Sequence, residues 1–215
     1  MARTHFLTSA FADEYAETIA EQCAGLKTFG IRCIELRNID GKSIADLTEE
    51  EAHRVKDCLD KNGVSVSAIG SPIGKVCIDE DLNGHFMRAE HVLRLAKIFE
   101  TQLVRIFSFY PASSMSAQTF ETKVFDALSV LIEKSDRYGI TLCHENEAGI
   151  YGESPKNCLQ IAQRFAGTMR LVFDMGNFVL DGYDPLEAYA LLKNYIAYFH
   201  IKDALAAGAV VPAGK

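Results

Sequence analysis

His144, Glu145, Glu147 and Glu153 crowd into one short stretch, "LCHENEAGIYGE", at the end of an apolar β-like run from Gly139 to Cys143. Charge at that density costs free energy inside a fold unless it is paired or bound to metal. A functional site is therefore the first expectation. Two later stretches repeat the pattern of apolar run and polar cluster: "RLVFDMGNF", which carries Asp174 and Asn177, and "YFHIKDA", which carries His200, Lys202 and Asp203. These residues can act together only if the three strand ends meet.

The elements that would bring them together follow from hydrophobic period. Residues 4–8 read as a short first strand, and Tyr15, Ile19, Cys23 and Leu26 line one face of a helix from Asp13 to Lys27. "IRCIEL" (31–36) is a second strand. Thr48, with Glu51 three residues on, forms a capping box that opens a helix closed at Asn62-Gly63. Further strands are expected over 64–70, 103–110, 140–145, 169–174 and 196–202. Helices are expected over 81–100 and 118–139, with two more opening at Ser154-Pro155 and Asp184-Pro185 in the favoured cap-then-proline order.

Successive strand ends fall roughly 27 to 38 residues apart, the length of one β-α crossover unit. Seven such units fit a barrel or a doubly wound open sheet. The barrel is favoured, because no glycine-rich nucleotide loop follows the first strand and polar residues gather at the carboxyl ends of strands 2, 5, 6 and 7. The expected fold is α/β, a (β/α)8 TIM barrel in a single domain over residues 1–215. After Asp203 only twelve residues remain, too few for a helix, an eighth strand and its helix. The barrel is therefore expected to be incomplete, in a chain truncated at its carboxyl end.

Composition narrows the function classes. With 22 Lys+Arg against 29 Asp+Glu the formal charge is −7, which opposes nucleic-acid binding. No apolar run reaches the roughly 18 residues of a membrane helix, and the amino terminus lacks a secretory h-region. Six cysteines without CxxC spacing read as reduced core residues, in keeping with a cytoplasmic protein. A barrel edge left open by a missing strand would favour a homo-oligomer.

The motifs "HENE…IYGE", "DMGNF…DGYDP" and "YFHIKDA…VPAGK" resemble the sugar isomerase/epimerase superfamily of xylose-isomerase-like barrels, which includes a DNA-repair endonuclease branch. The resemblance implies a divalent metal held by Glu145, Asp174 and His200, with a fourth carboxylate from strand 8 that has no counterpart here. Such a donor set suits Mn²⁺, Mg²⁺, Co²⁺ or Zn²⁺, and thiols take no part. The competing reading is an internal salt-bridge network of the same three residues with Arg105 and Lys202.

The activity implied is isomerisation or epimerisation of a sugar or sugar phosphate through an enediolate, with Glu145 as base and Lys202 holding a substrate oxygen. Asn177, where relatives often carry a His, and Glu147 are expected to bind substrate. His144 should leave the strand on the opposite side and pack against a helix. Glu35 and Arg105 are expected to pair inside the barrel, Glu153 to favour a helix start, and the loop "SPIGK" could offer Lys75 to a phosphate. The alternatives are a metal- or sugar-binding protein without turnover and an abasic-site endonuclease.

Overall fold

A computed structural model describes residues 6–205, 208–212 and 214. Its strands are β1 (Ser9–Ala10), β2 (Cys33–Leu36), β3 (Ser65–Gly70), β4 (Leu103–Ile106), β5 (Thr141–Glu145), β6 (Met169–Asp174) and β7 (Ile196–His200). They lie in one sheet in chain order, with β-α crossovers between them. This is the arrangement of a TIM barrel, and its seven parallel strands are consistent with an incomplete (β/α)8 barrel. Two small antiparallel hairpins, Asn38–Ile39 with Lys42–Ser43 and Asp203–Leu205 with Ala209–Val211, stand outside it. Among the described residues no helix is long and apolar enough to cross a membrane.

The helices are α1 (Ile19–Thr28), α2 (Glu49–Lys61), α3 (Asn83–Ile98), α4 (Ala117–Tyr138), α5 (Pro155–Arg164), α6 (Met175–Leu180) and α7 (Pro185–Leu192). Their starts follow side-chain chemistry. Thr18, Thr48, Ser116, Ser154 and Asp184 each accept a backbone N–H of the first turn, satisfying donors that the helix itself leaves orphaned. The Thr48–Glu51 capping box forms in both directions, and Gly139 closes α4 in the left-handed conformation.

The chain forms two compact units. The first takes the chain up to Ser71 together with Glu90–Val104. Here β1 pairs with β2 through Ser9–Cys33 and Ala10–Ile34, so the strand expected over 4–8 lies further along. Residues 4 and 5 fall outside the described residues, while Phe6 and Leu7 are exposed and carry no strand. The first helix is also shorter than expected. Thr18 sits in an extended conformation and caps α1, so Tyr15 falls before the helix and stays exposed.

The second unit takes Pro72–Ala89 and the chain from Arg105 onward, and it contains every residue singled out above as catalytic, metal-binding or substrate-binding. Strand β4 stops at Ile106 because residues 107–110 bond instead to the segment after β3: Phe107 N–H to Ile73 O (2.8 Å), Phe109 N–H to Gly74 O (2.8 Å) and Tyr110 N–H to Val76 O (3.0 Å). Strands β5 and β6 are almost wholly buried, which explains why they read as continuous apolar runs rather than alternating ones. Phe173 on β6 and Phe178 on α6 pack at a tilt, ring centres 5.2 Å apart, in a core shared with Cys158, Ala162, Leu171 and Leu192.

Candidate metal centre and active site

Glu145, Asp174 and His200 are the last residues of β5, β6 and β7. Glu145 lies opposite Val172, and Asp174 lies opposite His200. Val172 and Asp174 are two apart on one strand and share a face, so all three side chains point the same way. A bulge makes this possible. The register with β7 slips between Leu171 and Val172, from Ile196 to Tyr198. Without the extra residue Phe199 would face Asp174, and His200 would turn to the other side.

The ligand atoms of Glu145, Asp174 and His200 lie within 4.8 Å of one another. His200 Nδ1 donates to Glu145 Oε1 at 2.7 Å and stands 3.9 Å from Asp174 Oδ2. The other Glu145 oxygen accepts from Arg105 Nη1 at 2.7 Å, both side chains being buried. Burial alone would raise the Glu145 carboxyl, but the His200 hydrogen bond and the Arg105 charge outweigh it and hold the group well below the usual carboxylate range. Asp174 moves the other way. Burial raises it against the opposing pull of the Asn177 N–H and of Lys202, whose Nζ stands 3.3 Å from Oδ2.

Arg105 thus takes Glu145 as a partner, and the salt-bridge network considered from the sequence is present around the same three donors. The two arrangements are compatible, because a divalent ion replaces a proton rather than an arginine. An imidazole that ligates through Nδ1 must carry its proton on Nε2, so binding an ion there would replace the Nδ1–H contact with Glu145. Two carboxylates and one imidazole converging on one point form a donor set of the right chemistry for Mn²⁺, Mg²⁺, Co²⁺ or Zn²⁺.

Asn146, which the sequence does not single out, belongs to the same cluster. Its buried amide imitates a further rung of the sheet: Nδ2 donates to Asp174 O at 2.9 Å, and Oδ1 accepts Asp174 N–H at 3.0 Å. The backbone of Asp174 is fixed by this pair. Asn177 completes the frame. Its N–H donates to Asp174 Oδ1 (2.8 Å), its Nδ2 donates to Asn146 O (2.8 Å), and its Oδ1 accepts from Lys202 Nζ. Only 5% exposed, Asn177 is placed as a strut between Lys202 and Asp174. Asp174 also caps α6, a six-residue helix too short for the sequence to betray. Asp181, just past α6, has its carboxyl pushed up to about 6 by burial and by the neighbouring Glu153 and Glu147.

The remaining candidates divide. Glu147 accepts from Lys75 Nζ at 2.8 Å, and Glu153 accepts the Gly149 N–H at 2.6 Å, closing its own loop. His144 is fully buried on the opposite side from Glu145, as expected, with Nε2 2.9 Å from Ser108 Oγ. Burial lowers its pKa to about 4. A histidine near its usual value when unfolded and near 4 when folded adds stability that is complete above about pH 6.5 and is lost as pH falls toward 4. That group alone should contribute a loss of about 3 kcal/mol over the window. Urea unfolding at pH 7 and pH 4.5 is expected to show a stability drop that is markedly smaller in His144→Gln.

Comparison with known proteins supplies the context. A family model described as xylose isomerase-like TIM barrel matches residues 23–211. No curated protein matches the chain. Among solved structures it is similar to a probable 3-DHS dehydratase involved in petrobactin synthesis from Bacillus anthracis, with a TM-score of 0.77 and 16% identity over 95% of this chain and 75% of that one. It is also similar to 3-keto-D-glucoside 4-epimerase from E. coli, with a TM-score of 0.70 and 16% identity over 87% of this chain and 75% of that one. A third is a xylose isomerase-like TIM barrel protein from Mycobacterium smegmatis in complex with magnesium, with a TM-score of 0.69 and 19% identity over 94% of this chain and 72% of that one. At these identities the likeness is one of fold.

Proposed function

Because the chain belongs to the xylose isomerase-like TIM barrel family, we propose that it is a metal-dependent isomerase or epimerase of a sugar or sugar phosphate, working by α-proton transfer through an enediolate. The observation that carries this reading is the convergence of Glu145, Asp174 and His200 at three adjacent strand ends. Neighbours of the same fold named as sugar epimerases support it. A divalent ion held by these three residues would polarise the substrate carbonyl and offset the charge that develops as the α-proton leaves.

Glu145 enters the reaction already ionised and serves as the base. Its low proton affinity makes it a weak one, since general bases work best near the operating pH. The acidity of the α-proton must therefore be raised on the substrate side. Lys202, steadied by Asn177 and Asp174, is placed to hold the substrate oxygen on which negative charge appears. Arg105 keeps Glu145 in position and ionised. The test is a panel of ketoses and ketose phosphates incubated with protein reconstituted with Mn²⁺, Mg²⁺, Co²⁺ or Zn²⁺, with products resolved by carbon NMR. Interconversion of at least one pair is expected, and inertness toward the whole panel with metal bound would exclude the reading.

A further inference from the structure

Lys75 lies on the segment after β3, and that segment has little freedom. Its backbone is bonded to residues 107–110 through Ile73, Gly74 and Val76, and Gly74 N–H donates to His85 Nε2 at 2.9 Å. Gly74 passes so close to the Phe107 backbone that an added Cβ would stand 2.5 Å from its carbonyl carbon. A fixed backbone fixes where the lysine can reach. Its ammonium stands 4.2 Å from the centre of the Phe107 ring, and the Arg105 guanidinium stands 4.6 Å from the same ring. Arg105 in turn holds Glu145, so Lys75 is separated from the metal triad by one aromatic ring and one guanidinium.

The Lys75 side chain is about one-third exposed, and its ammonium already has a carboxylate on it, Glu147 Oε2 at 2.8 Å. Glu147 is two residues past Glu145, on the loop leaving β5, and its other oxygen accepts the Ala148 N–H at 3.3 Å. We propose that this ion pair is an anion subsite in which the Glu147 carboxylate stands in for an anionic group of the substrate, a carboxylate or a phosphate, that Lys75 takes when substrate binds. The apolar ring beneath limits hydration of the ammonium and strengthens its attraction for an anion. The second cation beside the ring adds to the same field. The substrate class is then a sugar acid or a sugar phosphate rather than a neutral ketose. This deepens the isomerase/epimerase reading and rests on it for what is turned over, but not for what is bound.

The two partners should respond with opposite sign. Binding of inorganic phosphate, glucuronate and fructose to the metal-reconstituted protein is measured by isothermal titration, at fixed ionic strength, for wild type, Lys75→Met and Glu147→Gln. Lys75→Met, which keeps an apolar chain over the ring, should lower the ratio of anion to fructose affinity by about tenfold or more. Glu147→Gln removes the internal competitor and should tighten anion binding several-fold. Which of phosphate and glucuronate saturates tells a phosphate from a carboxylate. The proposal is overturned if neither anion saturates wild type, if Lys75→Met keeps the wild-type ratio, or if Glu147→Gln fails to tighten anion binding. Turnover of a neutral ketose without anion binding would sink the subsite and leave the reaction standing; anion binding without any turnover would do the reverse.

Discussion

Replacing Glu145 by glutamine is expected to lower turnover by about 10³-fold or more and to remove ion binding. The amide keeps the shape but loses the charge that faces His200 Nδ1 and Arg105 Nη1. It also takes one carboxylate from a buried guanidinium, a change expected to cost about 3 kcal/mol of stability. Two outcomes therefore travel together, and thermal unfolding separates them. If the triad holds an ion, wild-type Tm rises on adding Mn²⁺ and the variant's does not. If the network is only structural, both lose or keep stability without regard to the ion.

The second large effect lies away from the donors. Gly152→Ala should destabilise the protein by about 3 kcal/mol, because overpacking of a closed contact has no cheap escape. An added Cβ would stand 2.5 Å from His144 Nε2. The glycine cannot retreat, since its N–H donates to Ser108 Oγ at 2.7 Å and its carbonyl accepts from Cys158 Sγ at 3.0 Å. The same residues pin the loop that carries Glu147. A double variant with His144→Ala should recover part of the loss in chemical denaturation, and additive losses would show that the clash is not the cause.

Much of the frame was legible because local chemistry and global fold agree. Capping side chains at Thr48, Ser154 and Asp184 mark helix starts in sequence and structure alike, and apolar runs mark β5 and β6 because both faces of those strands are covered. Glu145, Asp174 and His200 stand out in the sequence because each ends an apolar run. What stayed hidden depends on three-dimensional register. Nothing in "IAYFH" announces the bulge that turns His200 toward Asp174. Asn146 looks like any polar residue after a strand until its amide is seen bridging the Asp174 backbone. Gly152 has a negative φ of −86°, so its need for glycine comes from His144 across the loop and not from its own conformation. The apolar period continues past Thr18, so the cap that starts the helix there is masked in the sequence.

The chemistry proposed for the triad reduces to one event, removal of an α-proton by Glu145 in the presence of a divalent ion. Proton NMR in D₂O follows it without requiring a finished product. Protein reconstituted with Mn²⁺, Mg²⁺, Co²⁺ or Zn²⁺ and exhaustively chelated protein are compared over a panel of ketoses, ketose phosphates and keto-sugar acids, the paramagnetic samples after metal removal. Loss of an α-proton signal from at least one substrate, abolished by chelation and in Glu145→Gln, is the predicted result. The absence of exchange across the panel with the ion bound, or exchange that survives chelation unchanged, would contradict it.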